Sequence, residues 1–209
     1  PVHPRPLPPK AGARTIEFRD VWFRYPAPKA DGGPQRGWAL EAISFTAPAG
    51  AWIAVVGATG AGKTTLVELI PRLADPDRGA VLLDGVPLPD LRLADLRRAI
   101  GLVPQETFLF SRTIGENIGQ GELAQDAIEA AARVAQLHET VAGFPAGYDT
   151  MLGERGINLS GGQKQRAAIA RALARDPDVV VLDDALSSVD TQTEAAILHG
   201  LKGSLAGRT

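Results

Sequence analysis

The chain has 209 residues, 44% of them hydrophobic and 22% charged, a balance that suits one globular core, with or without an inserted lobe, and excludes wholesale disorder. A net charge of -2 without a dense basic stripe disfavours a nucleic-acid backbone as partner. Cysteine is absent, which excludes disulfides and thiolate metal sites and is compatible with a reducing compartment.

Pro1 to Lys10 is too proline-rich for a helix and lacks the apolar stretch of a signal peptide, so residues 1–13 read as a semi-rigid linker. Arg14 to Trp22 and Leu40 to Thr46 alternate apolar and polar residues and predict two strands, with Pro26 to Gly37 as a loop between them. The continuous apolar run Trp52 to Val56 predicts a strand buried on both faces of a parallel sheet. A helix is expected from Lys63 to about Leu73, then a short strand from Ala80 to Leu83 closed by the Asp84-Gly85 turn. Leu91 to Ala99 reads as helix and Ile100 to Val103 as strand. From Thr113 to about Phe144 the sequence is rich in Ala, Glu and Gln with helical periodicity, which predicts a helical lobe. A helix after Ser160, a buried strand over Val179 to Leu182 and a helix from Thr191 to Leu201 complete an α/β alternation. No run of about 18 apolar residues is present, so no segment reads as a membrane-spanning helix. The chain starts without Met or a signal and stops without an obvious terminus, so it reads as an excised piece.

Gly57 to Thr64 spells an eight-position phosphate loop between the apolar run and the helix. Glycines let successive backbone N–H groups turn inward on phosphate oxygens, and the start of a helix adds the positive end of its dipole. Thr59, Gly60, Ala61, Gly62, Lys63, Thr64 and Thr65 are therefore candidate phosphate ligands, with Lys63 on the β- and γ-phosphates and the Thr64 hydroxyl on magnesium. The loop alone does not separate ATPases, GTPases and small-molecule kinases.

A second motif does. Leu159-Ser160-Gly161-Gly162-Gln163, followed by Lys164-Gln165-Arg166, puts a serine and two glycines ahead of another helix, an arrangement that alone is an ordinary N-cap. With the phosphate loop upstream and Asp183 downstream, the chain resembles the nucleotide-binding domains of ABC transporters over almost its whole length, from Arg14 onward. The resemblance implies an α/β phosphate-loop NTPase core, a mixed sheet with an antiparallel β subdomain, carrying an inserted α-helical subdomain. Residues 14–106 and 159–209 then form the ATP-binding core, 107–158 form the helical subdomain, and 1–13 lead from an absent transmembrane domain.

It also implies roles for individual residues. Tyr25 matches the aromatic that stacks on adenine, a contact of about 1–3 kcal/mol by analogy with base stacking on proteins. Gln105 matches the glutamine that touches magnesium or water, Asp183 a magnesium carboxylate, and Ser160, Gly161, Gly162 and Gln163 the signature that closes over ATP held by a second such domain. Thr113 to Ile118 and Gly153 to Gly156 resemble exporter segments, and Ala185 stands where importers usually carry Pro. Ser187 to Asp190 match the loop that crosses the dimer seam, with Asp190 as a plain helix cap the competing or coexisting role. The family's switch histidine lies beyond Thr209, and His199 is not that residue. His3 and His138 have no partners at metal-ligand spacing.

One position departs from the family. After Asp183 most members carry a glutamate that orients the attacking water, and here stands Asp184. A carboxylate one methylene shorter sits about 1 Å from the productive position, which costs around a hundredfold in rate. In the family this substitution often marks the degenerate half of a heterodimer, whose other subunit supplies the glutamate; a homodimer with weak bases is the alternative. Expected companions are ATP, Mg2+, a second nucleotide-binding domain and the transmembrane domains of both subunits, at the cytoplasmic face of the cell membrane, with no nucleic acid. A soluble ABC ATPase and a regulatory ATP-sensing module are rival readings.

Overall fold

A computed structural model describes residues 4–9, 12–26, 37–153 and 159–209. The fold comprises two compact units: residues up to Arg98 with Gly207–Thr209, and Ala99–Ala206.

In the first unit, β1 (Ile16–Phe23), β2 (Leu40–Ala47), β3 (Arg78–Leu83) and β4 (Val86–Pro87) form an antiparallel sheet in the order β2-β1-β3-β4. Along β1 the buried side chains change phase, from Ile16 and Phe18 to Val21 and Phe23. Asp20 absorbs the extra residue at φ 46°, where the register with both neighbours shifts, so both pairs stay on the core face. A second shift on β2 accompanies Ala42 at φ 51°. Phe18 and Phe45 stack at 4.7 Å across the pair. The Asp84-Gly85 turn is present as expected, both residues at positive φ.

The helix α1 (Lys63–Glu68) is shorter than its sequence pattern implies. Pro71 has no N–H to donate and disfavours helical backbone at Ile70. The chain leaves through turns, with Arg72 at φ 54° and its Nε and Nη2 on Asp75 at 2.6 and 3.0 Å. The strand expected over Trp52 to Val56 is not formed: among the described residues no strand pairs with this run, and Val56 is 87% exposed. An apolar run becomes a doubly buried strand only where flanking strands supply ladder bonds and cover, and among the described residues of the first unit nothing does so. The segment 4–9 lies along residues 90–92: Arg5 N–H donates to Asp90 O and Arg92 N–H to Arg5 O, both at 2.8 Å. Buried Arg14 joins Asp84 at 3.0 Å and Pro8 O at 2.9 Å. Helix α2 (Leu93–Ala99) runs to the end of this unit, and its Leu96 is fully buried.

In the second unit, β5 (Ile100–Val103) pairs in parallel with β6 (Val179–Leu182), Ile100 opposite Val179 and Val103 opposite Leu182. Between them in sequence run α3 (Ile114–Gly119), α4 (Gln125–Val134), α5 (His138–Ala142) and α6 (Gly161–Leu173), and α7 (Thr191–Ser204) follows β6. Their apolar faces meet in one core around Ile114, Ile118, Leu137, Ile169, Ile197 and Leu201. Thr113 caps α3 through a reciprocal bond pair with Glu116, which draws the Glu116 carboxyl below its ordinary pKa, chiefly through the Thr113 N–H. The described residues thus contain an antiparallel and a parallel sheet with helices grouped between strands, the mixed α/β class expected.

Candidate nucleotide site

In the first unit the loop Gly57–Gly62 enters α1 at Lys63. Gly60 and Gly62 have φ 80° and 89°, and a Cβ on Gly62 would lie 2.6 Å from Ala39 O. Only glycine fits there, because the backbone is both left-handed and pressed against the residue before β2. The Lys63 ammonium donates to Gly57 O and Ala58 O, each at 2.9 Å, so it curls over the mouth of its own loop. Thr64 is half-buried at the second position of the helix, and Thr65 is 7% exposed. Tyr25, two residues past β1 and 40% exposed, shares a hydrogen bond of 2.9 Å with the Thr65 hydroxyl. Its ring meets the edge of Phe23 at 5.1 Å and 85°. The aromatic and the phosphate loop, assigned from separate stretches of sequence, are thus brought together within one unit.

In the second unit Gln105 and Asp183 leave the same, carboxyl, end of the parallel pair, the end where α/β sheets bind ligands. Asp183 N–H extends the ladder by donating to Val103 O at 2.9 Å. Gln105 is exposed, Asp183 half-buried and Asp184 exposed. Asp184 holds φ 49°, a left-handed conformation that short Asp side chains tolerate best among charged residues.

Ser160 is the N-cap of α6: its Oγ accepts the Gln163 N–H at 3.2 Å while Gln163 Oε1 accepts the Ser160 N–H at 2.9 Å. The capping reading of this motif is therefore realised in the chain by itself. The second glycine has a packing reason as well, since a Cβ on Gly162 would lie 2.7 Å from Ser188 O. Gln165, which sequence inspection left without a role, fixes the same loop. Buried on α6, it donates to Ser187 Oγ at 3.0 Å and accepts the Ser188 N–H at 2.9 Å. Its signal was present: Gln165 shares a helical face with Ala168, Ile169 and Ala172, and a polar residue on an apolar stripe needs a partner. Asp190 caps α7, Oδ1 accepting the Thr193 N–H at 2.9 Å, and that bond is the first cause of its lowered pKa. Glu154, Arg155 and Gly156 of the expected exporter segment lie outside the described residues, as do His3 and most of the Pro26 to Gly37 loop.

The phosphate loop, the signature and the strand before Asp183 all fall inside residues 40–187, which match the family model for ABC transporter. The chain is 51% identical over 188 residues, 89% of its length, to an uncharacterized ABC transporter ATP-binding protein of Bacillus subtilis (strain 168), and covers 32% of that protein. It is 44% identical over 206 residues, 98% of its length, to the ATP-dependent lipid A-core flippase of Burkholderia pseudomallei (strain 1710b), covering 33% of it. A solved bacterial Atm1-family ABC exporter with ATP bound superimposes with a TM-score of 0.85 at 38% identity, over 99% of this chain and 36% of that one. The chain spans about a third of the length of these relatives. With motifs, fold and relatives in agreement, the chain belongs to the ABC transporter family, as a nucleotide-binding domain of the exporter type.

Proposed function

We propose that this chain binds and hydrolyses ATP for an ABC exporter, closing against a second nucleotide-binding domain around two ATP molecules so that closure drives attached membrane helices. The observation that carries the reading is the loop at Gly57–Lys63, with two left-handed glycines and a lysine ammonium held at its mouth by carbonyls. Those two bonds are exchanged for phosphate oxygens when a nucleotide enters, while the Thr59, Gly60, Ala61 and Gly62 backbone and the start of α1 receive the rest of the tail. Tyr25 carries the base. Magnesium would supply charge neutralisation on the phosphates, and the family resemblance assigns to it the Thr64 hydroxyl, Gln105 and Asp183 as oxygen donors. Ser160, Gly161, Gly162 and Gln163 serve the nucleotide of the partner domain, and the α6 cap bonds are the ones they rearrange to do so.

Asp184 is the base of the site built on this chain's own phosphate loop. Its carboxylate is one methylene short for orienting water, so this site binds ATP and turns it over slowly. The partner is accordingly a non-identical subunit with a glutamate at this position, served by the intact signature of this chain. Transmembrane domains of both subunits complete the assembly and set the chain at the cytoplasmic face of the cell membrane. Two measurements test the site assignments: ATP affinity of the chain and of Lys63→Ala, and ATP turnover of the chain and of Asp184→Glu with the partner domain present. Lys63→Ala is expected to weaken ATP binding by about tenfold or more, equivalent to ~1.4 kcal/mol, and Asp184→Glu to raise turnover toward a hundredfold. Unchanged affinity in the first refutes the phosphate-loop assignment, and unchanged turnover in the second refutes the degenerate-site assignment.

A further inference from the structure

The hydrogen bond between Tyr25 and Thr65 links the two halves of the proposed nucleotide site, and it extends the reading of Tyr25 as the base platform. Among the described residues Phe23 and Thr65 both meet the Tyr25 side chain. Phe23 meets it edge to face at 5.1 Å, which limits tilt but leaves the hydroxyl tip free to swing. The Thr65 hydroxyl, 2.9 Å from the Tyr25 hydroxyl, fixes that tip. Thr65 is well placed for this. It is 7% exposed, it lies two residues beyond Lys63 in the first turn of α1, and its β-branched side chain has few rotamers in a helix. Tyr25 at 40% exposure has a solvent-facing surface, and an exposed ring without a tether loses rotamer freedom when a ligand stacks on it.

We infer that Thr65 is a positioning residue for the base: its hydroxyl orients Tyr25 and thereby sets the distance between the stacking platform and the phosphate loop. The ligand selected is a nucleoside triphosphate whose base reaches Tyr25 while its phosphates lie at Lys63. A phosphate chain without a base gains nothing from the bridge. Beside its place among the candidate phosphate ligands, Thr65 therefore adds a preference for nucleotide over bare phosphate, which the ratio of the two affinities isolates.

The test is the ratio of affinities for ATP and for inorganic tripolyphosphate, measured by calorimetry on the chain and its variants with folding checked by circular dichroism. Thr65→Val and Tyr25→Phe each remove one side of the bond and are expected to lower the ratio about two- to tenfold, the range for one neutral hydrogen bond. The double variant is expected to fall no further than either single, because both remove the same bond. Thr65→Ser, which retains the hydroxyl, is expected to restore the ratio. An unaltered ratio in folded Thr65→Val, or equal losses for both ligands, overturns the inference. Should Thr65→Val fail to fold, Tyr25→Phe, changed at a residue 40% exposed, decides alone: a lowered ratio supports the bridge and an unaltered one overturns it. Tyr25→Ala separates the two layers of the argument. If it lowers the ratio while Tyr25→Phe does not, the bridge fails and the platform stands; if it leaves the ratio unaltered, the platform itself fails, and the inference with it.

Discussion

Asn117 is 2% exposed and uses both ends of its amide on neighbouring loops. Its Oδ1 accepts from Phe110 N–H at 2.8 Å and from Arg171 Nη2 at 2.9 Å, and its Nδ2 donates to Phe110 O at 2.9 Å and Thr113 O at 3.0 Å. Arg171, whose pKa burial draws down, continues the node by donating to Asn117 O at 2.7 Å and Phe108 O at 2.8 Å. The side chains of Phe108 and Phe110 meet edge to face at 5.1 Å and stay exposed on a loop whose backbone is held from beneath. Asn117→Ala removes one acceptor of the half-buried Arg171 guanidinium and the partner of the Phe110 N–H, while Phe110 O and Thr113 O keep the backbone N–H groups of Arg112 and of residue 117. A loss of about 3 kcal/mol is expected, from the ~1–3 kcal/mol for each buried group left unsatisfied, partly recovered by relaxation. Urea unfolding of the chain and the variant measures it; a loss under ~1 kcal/mol would show that water replaces the amide without penalty. Nothing in the sequence singled out Asn117 or Arg171 for this, because a node between residues 54 positions apart is visible only once α3 and α6 are packed.

Element by element, the periodicities were readable wherever one face was to be buried: β1 and β2 through alternation, α4 and α6 through helical stripes, the cap of α6 through its Ser-x-x-Gln spacing. What periodicity missed was interruption, the bulge at Asp20 and the early end of α1 ahead of Pro71. Helix α7 carries an element-scale prediction. The Asp190 carboxylate accepts a backbone N–H at its start, and its pKa is lowered by that bond. A carboxyl with a depressed folded-state pKa contributes stability above its unfolded pKa of about 3.9, and this contribution is lost as pH falls through the lower folded value. Asp190→Ala removes the cap, so the variant is less stable than the parent at pH 7, and the gap is expected to narrow as the parent is titrated below about pH 4. Glu116 titrates in the same direction in both proteins and cancels in the comparison. Unfolding midpoints at neutral and acid pH measure the gap, and one that stays constant would show that the carboxylate charge is not what holds the turn.

At the scale of the whole molecule, motif order along the chain was legible because each motif is local: a phosphate loop needs eight neighbouring residues and a capped helix four. Which strands hydrogen-bond to one another is not local, and Trp52 to Val56 shows the difference. Its composition is that of a strand buried on both faces, yet Trp52, Ile53, Val55 and Val56 are 51%, 50%, 43% and 87% exposed and join no ladder among the described residues. Backbone amides without ladder bonds open without breaking structure, so they exchange with solvent at low free energy, whereas amides of paired strands wait for cooperative opening. Native-state hydrogen exchange of the chain is therefore expected to label residues 52–56 well before β1 and before the β5 and β6 pair. Protection at 52–56 equal to that of β6 would mean that this run is paired in solution and that the apolar pattern, rather than the observed exposure, describes it. The addition of ATP sharpens the comparison, because the run leads directly into Gly57. If nucleotide binding orders the loop alone, protection rises from Gly57 to Thr65 and stays low before it; if it rises over 52–56 as well, the strand that the sequence encodes forms together with the bound phosphate tail.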